Sequence, residues 1–400
     1  MRVGVYLGDF EPQQGGGYTF VADVFDALVQ SGQPAGHELL LLATSSAAHA
    51  LSTVLQGRLP IVPVPSIKGW RRQLLGLKYF SPLVRRLLGM APGLERLADE
   101  HKLDLIWFVG VGAFESPDVP YVATLWDLQH RVQPFFPEVS IAGEWDKREQ
   151  FYSTFLRRAA YCVTGTQAGK SEIQGFYQLH ADRVRVLPLP TPQYALAAVP
   201  TQLDVRERFG LQRPYVFYPA QFWPHKNHIN LLLALAELRD AHGIALDLVL
   251  VGADKGNRAF VEQRSRELGL AGQVHFPGFV SQDELIALYR QAEALVFVSL
   301  FGPDNIPPLE AFALGCPVIA SHLSGSEEQY EDAAVLVDAT VSGQIAEAIR
   351  AVLTAPGLKA DLIRKGDARA RRWTAQNYLH SIYGLFSEFA TIRRNWPPSC

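Results

Sequence analysis

Two stretches of this 400-residue chain set a charged side chain where an apolar run gives way to a helical pattern. One is Tyr218-Pro219-Ala220-Gln221-Phe222-Trp223-Pro224-His225-Lys226-Asn227-His228, with Asn227 at an N-cap position. A lysine beside a helix N-terminus can stabilise a departing nucleoside diphosphate as its charge develops; a solvated lysine opening a helix is the plainer alternative. The other is Phe301-Gly302-Pro303-Asp304-Asn305-Ile306-Pro307-Pro308-Leu309-Glu310, between the apolar runs 294–298 and 317–320. Gly and Asn permit a tight loop and proline suits the first helical position, so the segment predicts a loop that opens a helix. Glu310 then falls in the first turn, where a carboxylate also serves the helix dipole. A third segment, Thr124-Leu125-Trp126-Asp127-Leu128-Gln129-His130-Arg131, ends another apolar run. Gly15-Gly16-Gly17 precedes the first helical stretch, where a backbone can approach a phosphate or simply turn.

Elements that could position these groups recur along the whole chain. Short apolar runs at 2–7, 37–43, 103–109, 119–125, 161–163 and 184–187 predict strands, with helical stretches at 19–30, 144–160 and 168–177 between them. The pattern breaks at 188–200, where four prolines and no periodicity predict a connection between domains. It then restarts, with strands at 215–219, 245–251, 274–276, 294–298 and 318–320 and helices at 229–241, 258–268 and 283–292. Three further helices, near 343–353, 358–371 and 374–392, close the chain. Such alternation predicts two parallel sheets covered by helices, and ligands bind such sheets beyond the carboxyl ends of their strands.

The bulk chemistry narrows the partners. A composition 48% apolar and 19% charged is that of a globular protein with sizeable cores. A net charge of −3 and an isoelectric point near 6.4 argue against nucleic acid as the main partner. Cys162, Cys316 and Cys400 are too few and too scattered for a disulfide framework or a zinc knuckle, which fits a reducing, cytoplasmic setting. No apolar run is long enough to cross a bilayer, so any membrane association is expected to be peripheral. The mixed basic and apolar stretch 70–86 could rest on an anionic surface, or be an ordinary helix with solvated arginines.

The motifs resemble the retaining glycosyltransferases of family 4, which have the GT-B fold. Lys226, Pro307-Pro308, Glu310 and Gly315-Cys316-Pro317 keep that family's spacing. The resemblance implies an α/β protein with two Rossmann-like domains facing each other across a cleft. Residues 1–190 would bind the acceptor, 191–204 link, and 205–373 bind a nucleotide-sugar, with a last helix (374–400) packing back on the first domain. Lys226 would hold the donor diphosphate, and Glu310, the second of the family's paired glutamates, would accept from two ribose hydroxyls. Asp127 completes the implied catalytic set. Gly16, Gly17, Gln221, His225, Gly252, Phe279, Val280, Asp304, Asn305, Ile306 and Pro307 complete the implied donor site, and Trp126 and His130 the sugar or acceptor pocket, with a buried, satisfied His130 the plainer alternative. No metal or cofactor is implied, and the sequence has no Asp-x-Asp pair.

Three positions depart from the family. Its arginine is Gln221, which offers no charge and no guanidinium fork; His225 or Lys255 are candidate substitutes. Its first glutamate is Gly302, for which Asp304, Asn305 and loop amides could stand in. Its histidine is Trp126, an apolar wall that suits a 6-deoxy sugar; the equal alternative is that Trp126 is core or an acceptor platform and the sugar an ordinary hexose. The implied function is transfer of a mannose-, rhamnose- or fucose-type sugar to a glycan or lipid-linked glycan in cell-surface polysaccharide synthesis, for instance an O-antigen. The competing expectation is a non-catalytic nucleotide-sugar-binding scaffold.

Overall fold

Seven parallel strands form the first sheet, in the order β3 (Ile61–Val64), β2 (Glu38–Thr44), β1 (Arg2–Gly8), β4 (Leu105–Phe108), β5 (Tyr121–Thr124), β6 (Tyr161–Thr164), β7 (Val184–Val186). Six parallel strands form the second, in the order β10 (Val274–Gly278), β9 (Asp247–Val251), β8 (Tyr215–Pro219), β11 (Ala294–Phe297), β12 (Val318–Ser321), β13 (Ala334–Val337). This computed structural model describes residues 1–8, 16–55, 57–64, 93–111, 117–200, 202–302 and 304–397. Gly15 and the basic stretch 70–86 lie outside them.

Both faces of each sheet are covered, which is why the strands read as continuous apolar runs. In β2, Leu39 and Leu41 join one buried cluster while Leu40 and Leu42 join the other, the period of two expected of a strand. Two strands escaped the sequence reading. β3 contains Pro63, tolerable because among the described residues β3 is an edge strand whose outer side needs no donor. β13 is the opposite edge of the second sheet, a four-residue run too short to stand out. Helices Ser45–Leu55 and Gly93–His101 were likewise not anticipated.

The chain crosses between domains twice, side by side. The outward crossing is not a bare linker: Leu189, Thr191 and Ala195 are buried, and Gln193–Leu196 forms one helical turn. The return crossing is tied to it by Trp373, whose indole donates to the Pro188 carbonyl at 2.7 Å and whose carbonyl accepts from Thr191 N at 3.1 Å. The last helix, Ala375–Arg393, then lies on the first domain against helix Gly16–Ser31. Tyr378 meets Phe20 edge-on at 5.2 Å and Phe386 meets Trp107 at 6.0 Å. Burial of each such ring contributes about 2–3 kcal/mol. Among the described residues, no helix is long and apolar enough to cross a membrane.

In each sheet the connections reverse direction beside the first strand. β1 lies between β2 and β4, and β8 between β9 and β11. A doubly wound sheet opens a crevice at that switch point, beyond the carboxyl ends of the strands. The segments 220–227 and 298–302 leave β8 and β11 there, and segment 125–131 leaves β5 on the opposing domain.

Candidate active site

After β8 the chain makes a short 3-10 turn, Pro224–Lys226, before the helix His228–His242. Asn227 sits between them in left-handed backbone (φ 58°), yet its side chain does not cap the helix as the sequence suggested. Its amide instead donates to the carbonyls of Val298 and Ala339 at 3.1 and 2.7 Å, tying this loop to the one after β11. The loop is also closed on its other side. At Gly252 a Cβ would lie 2.2 Å from the Ala220 carbonyl oxygen, so only glycine lets the turns after β8 and β9 meet.

Lys226 is half-buried, its Nζ 3.4 Å from Ser299 Oγ and 5.2 Å from the centre of the Phe297 ring. Desolvation pulls its pKa down to about 8, against the opposing attraction of Asp127 and Glu138. Both of these carboxylates belong to the first domain. The neighbouring His225 stacks on Phe301 at 4.0 Å with the rings 9° apart. Its ring Nδ1 and its backbone N–H both meet Glu138 Oε1, the latter at 3.0 Å. Burial outweighs that carboxylate and lowers the His225 pKa to about 4, so the imidazole is neutral near pH 7 and is no substitute for the missing arginine charge. Gln221 offers none either, its Oε1 accepting from Trp223 Nε1 at 3.0 Å. Lys255 lies 5.7 Å from the centre of the Trp223 ring, beside this wall.

Between the domains lies a cleft of about 560 Å³, within the range of small-ligand sites. Of the anticipated residues it is lined by Asp127, His225, Lys226, Asp304 and Asn305. Arg148, Glu138 and Trp223 also line it and were not anticipated. Arg148, on helix Glu144–Arg158, pairs with Glu144 at 2.9 Å and brings a second cation from the first domain. The first domain also grips the loop after β11 directly. Gln129 Nε2 donates to the Gly302 carbonyl at 2.9 Å, and Gln133 Nε2 to that of Leu300 at 2.6 Å. Asp304 is held well above the usual carboxylate range, at about 7, by burial; the Gly165 amide lowers it and Asp127, Glu328 and Glu172 raise it.

Several expected residues stand behind the walls rather than on them. His130 is fully buried, within 3.3 Å of the Tyr177 hydroxyl and 3.5 Å of Glu149, in the packing of the first domain rather than on the cleft wall, the plainer of its two expectations. Trp126 is half-buried, edge-on to Phe20 at 5.6 Å. Its ring fills the space beside Gly17, where a Cβ would lie 3.0 Å from it. Phe279 projects into solvent (93% exposed) after Gly278, in left-handed backbone, while Val280 packs inward. Ile306 is buried, and Pro307 opens the helix Pro307–Ala313. Gly16 begins helix Gly16–Ser31.

Glu310 is also buried, and lies outside the cleft lining. Its Oε2 accepts from the Tyr289 hydroxyl at 2.6 Å, with Tyr194 of the crossing segment beside it. Burial raises its pKa, the two tyrosines opposing. Asp23, on the first helix, faces the same junction and accepts from Gln193 N at 3.2 Å through both oxygens. Burial lifts its pKa from 3.8 to about 7, the Gln193 amide opposing and Asp26 and Glu310 adding. The folded state therefore holds a proton there that the unfolded chain releases. This contribution to stability is full below about pH 4 and lost as pH rises through about 7. Asp23→Asn is expected to raise the melting temperature at about pH 8 and to change it little near pH 4, as scanning calorimetry at both would read.

Residues 201–369 match the family Glycosyl transferases group 1. That stretch of the chain is similar to that group. A D-inositol 3-phosphate glycosyltransferase of Acidothermus cellulolyticus is 30% identical over 243 residues, 58% of this chain and 54% of that protein. An O-antigen chain mannosyltransferase B of Escherichia coli is 26% identical over 228 residues, 56% and 59% of the two chains. The chain thus spans little more than half the length of these curated relatives. In three dimensions a sucrose-phosphate synthase from Thermosynechococcus elongatus superposes with a TM-score of 0.71 at 18% identity, over 98% of this chain and 100% of that one. The fold here is GT-B, and the family match is confined to the domain that carries Lys226 and Glu310.

Proposed function

We propose that the chain is a glycosyltransferase that takes a sugar from a nucleotide-sugar held by the second domain and passes it to an acceptor hydroxyl presented by the first. The observation that carries this reading is Lys226, at the switch point of the family-matching domain, with its ammonium made costly by burial and faced by Asp127 and Glu138 across the cleft. A desolvated cation gains most when a leaving diphosphate brings opposite charge, so its interaction is strongest as the glycosidic bond breaks. Lys226 thereby does the work that a metal does in other transferases. With the lysine on the phosphate, the leaving group itself can take the acceptor proton on the face it vacates, which gives retention without a protein nucleophile. Glu310 holds the ribose, and Asp304 and Asn305 meet the sugar in place of the glutamate replaced by Gly302.

The sugar is a hexose or 6-deoxyhexose, passed to a glycan or lipid-linked glycan at the cytoplasmic face of a membrane. The mannosyl and O-antigen wording in one relative's name supports a mannose-type donor and a cell-surface product. Trp126 replaces the family's histidine but packs onto Phe20 and Gly17, so it does not choose between a hexose and a 6-deoxyhexose. Turnover of GDP-mannose against GDP-fucose makes that choice: a strong preference for GDP-mannose removes the 6-deoxy reading, and a strong preference for GDP-fucose removes the hexose one. A scaffold role is favoured by one observation, the neutral Gln221 spent on Trp223. Binding and slow hydrolysis across GDP-, UDP- and dTDP-sugars separates the two. One donor hydrolysed by the wild type supports transfer, and tight binding without turnover, even with acceptors supplied, supports the scaffold.

A further inference from the structure

The helix Gln167–Tyr177 of the first domain begins at the cleft, and second-domain carboxylates occupy its N-terminus. Its cap, Thr166, accepts from Gly169 N at 3.0 Å, which leaves the two earlier amides without a partner on their own element. Both find Glu328: Gln167 N donates to one oxygen at 2.6 Å and Ala168 N to the other at 3.0 Å. A carboxylate there also meets the positive end of the helix dipole. One residue before the cap, Gly165 faces Asp304. A Cβ on Gly165 would fall 2.1 Å from Asp304 Oδ1 and 2.4 Å from Oδ2, so only glycine admits that carboxylate. Gln329, next to Glu328, brackets Asn305: its Oε1 accepts from Asn305 N at 3.1 Å and its Nε2 donates to Asn305 O at 2.7 Å. The helix start, Glu328 and the Asp304–Asn305 loop thus meet at one point across the cleft.

We infer that this is a closure latch, and that Gly165 and Glu328 are positioning residues for the loop that carries Asp304 and Asn305. Glu328 can use both Gln167 and Ala168 amides only when the domains are closed. Asp304 can enter the space left by Gly165 only in that state. Closing the cleft therefore sets the loop, through Gln329 on one side and Asp304 on the other. Catalytic geometry is completed by the approach of the acceptor domain. The nucleotide half of the donor, held by the second domain alone, does not depend on the latch. This inference rests on the proposed transferase reading for its kinetic part and on geometry alone for its conformational part.

The test uses the full chain as wild type, Gly165→Ala, Glu328→Gln and Glu328→Ala. The backbone at Gly165 is outside the left-handed region, so alanine there tests the contact with Asp304 rather than chain strain. Small-angle scattering is expected to show a larger radius of gyration in Gly165→Ala and Glu328→Ala, with Glu328→Gln between them and the wild type because an amide oxygen still accepts one bond. Donor turnover is expected to fall about tenfold or more in kcat, while the Kd for UDP or GDP, whichever the wild type binds, stays within about threefold. Unchanged scattering in both Gly165→Ala and Glu328→Ala overturns the latch. So does a loss of nucleoside diphosphate affinity as large as the loss of kcat, which would make these residues ligand contacts. If the wild type binds no nucleotide and turns over no sugar, the transferase reading fails, yet the scattering comparison still decides whether the latch exists.

Discussion

Lys226→Ala should lower donor turnover by about 100- to 1,000-fold, roughly 3–4 kcal/mol of barrier, the usual result of deleting one preorganised group that meets developing charge. The protein should not become less stable at neutral pH. The folded state holds this lysine near pKa 8, whereas the unfolded chain holds it near 10.5. Between those values the unfolded state binds the extra proton, so stability rises with pH there. The cost of the buried ammonium is full below about pH 8 and gone above about 10.5. Lys226→Met, which keeps an apolar stem beside Phe297, is therefore expected to melt higher than wild type at pH 7, with the gain shrinking at alkaline pH. Activity has the opposite demand. The free protein needs the ammonium, so kcat/KM should fall as pH rises through about 8. Bound diphosphate favours the charged form, so the same limb in kcat should lie higher. Paired kcat/KM profiles and melting curves of the wild type and Lys226→Met read both effects. Comparable turnover in Lys226→Ala would remove the lysine from the mechanism.

Much of this site could be read in the sequence because its second-domain half is local. Lys226 and the 301–310 loop each follow an apolar strand directly, and strand order alone brings β8 and β11 together. The first-domain half was less legible. Glu138 matters through His225, 87 positions away, and nothing in its own surroundings announces that contact. Arg148 is one of several charges on helix Glu144–Arg158, and only the facing domain separates it from its solvated neighbours. The only available signal was its i,i+4 spacing from Glu144, shared by countless surface helices. The segment after β5 shows the same limit within six residues. Asp127 reaches the cleft, Trp126 turns back onto Phe20 and Gly17, and His130 is swallowed by Tyr152, Tyr177 and Glu149. Which way each side chain points in such a loop is settled by tertiary packing, not by spacing. Asn227 misled for a related reason: its N-cap position was correct, but two carbonyls on other elements are better partners than the helix it precedes.

Glu310 combines both kinds of constraint, and its substitutions should separate them. Glu310→Ala is expected to cost about 3 kcal/mol or more of stability, because it leaves a cavity and strips the fully buried Tyr289 hydroxyl of its carboxylate. The 3.4 Å contact of that hydroxyl to the Pro307 carbonyl is too long to replace it. Activity lost in this variant would therefore be ambiguous. Glu310→Gln keeps the volume and still accepts from Tyr289, so its melting temperature should stay near wild type. If Glu310 grips the ribose, replacing the carboxylate weakens a charge-assisted hydrogen bond worth about 1.5–3 kcal/mol, roughly 10- to 100-fold in nucleotide affinity. The decisive comparison is between a nucleoside diphosphate and its 2′-deoxy form. The wild type should prefer the ribose form, and Glu310→Gln should lose most of that preference while keeping its fold. A preference that survives intact in Glu310→Gln would assign Glu310 to the domain junction alone, as the buried acceptor that anchors Tyr289 beside the crossing segment. The same preference bears on the donor: a protein that discriminates strongly against 2′-deoxyribose disfavours dTDP-sugars, which would leave GDP- or UDP-linked sugars as the class to pursue.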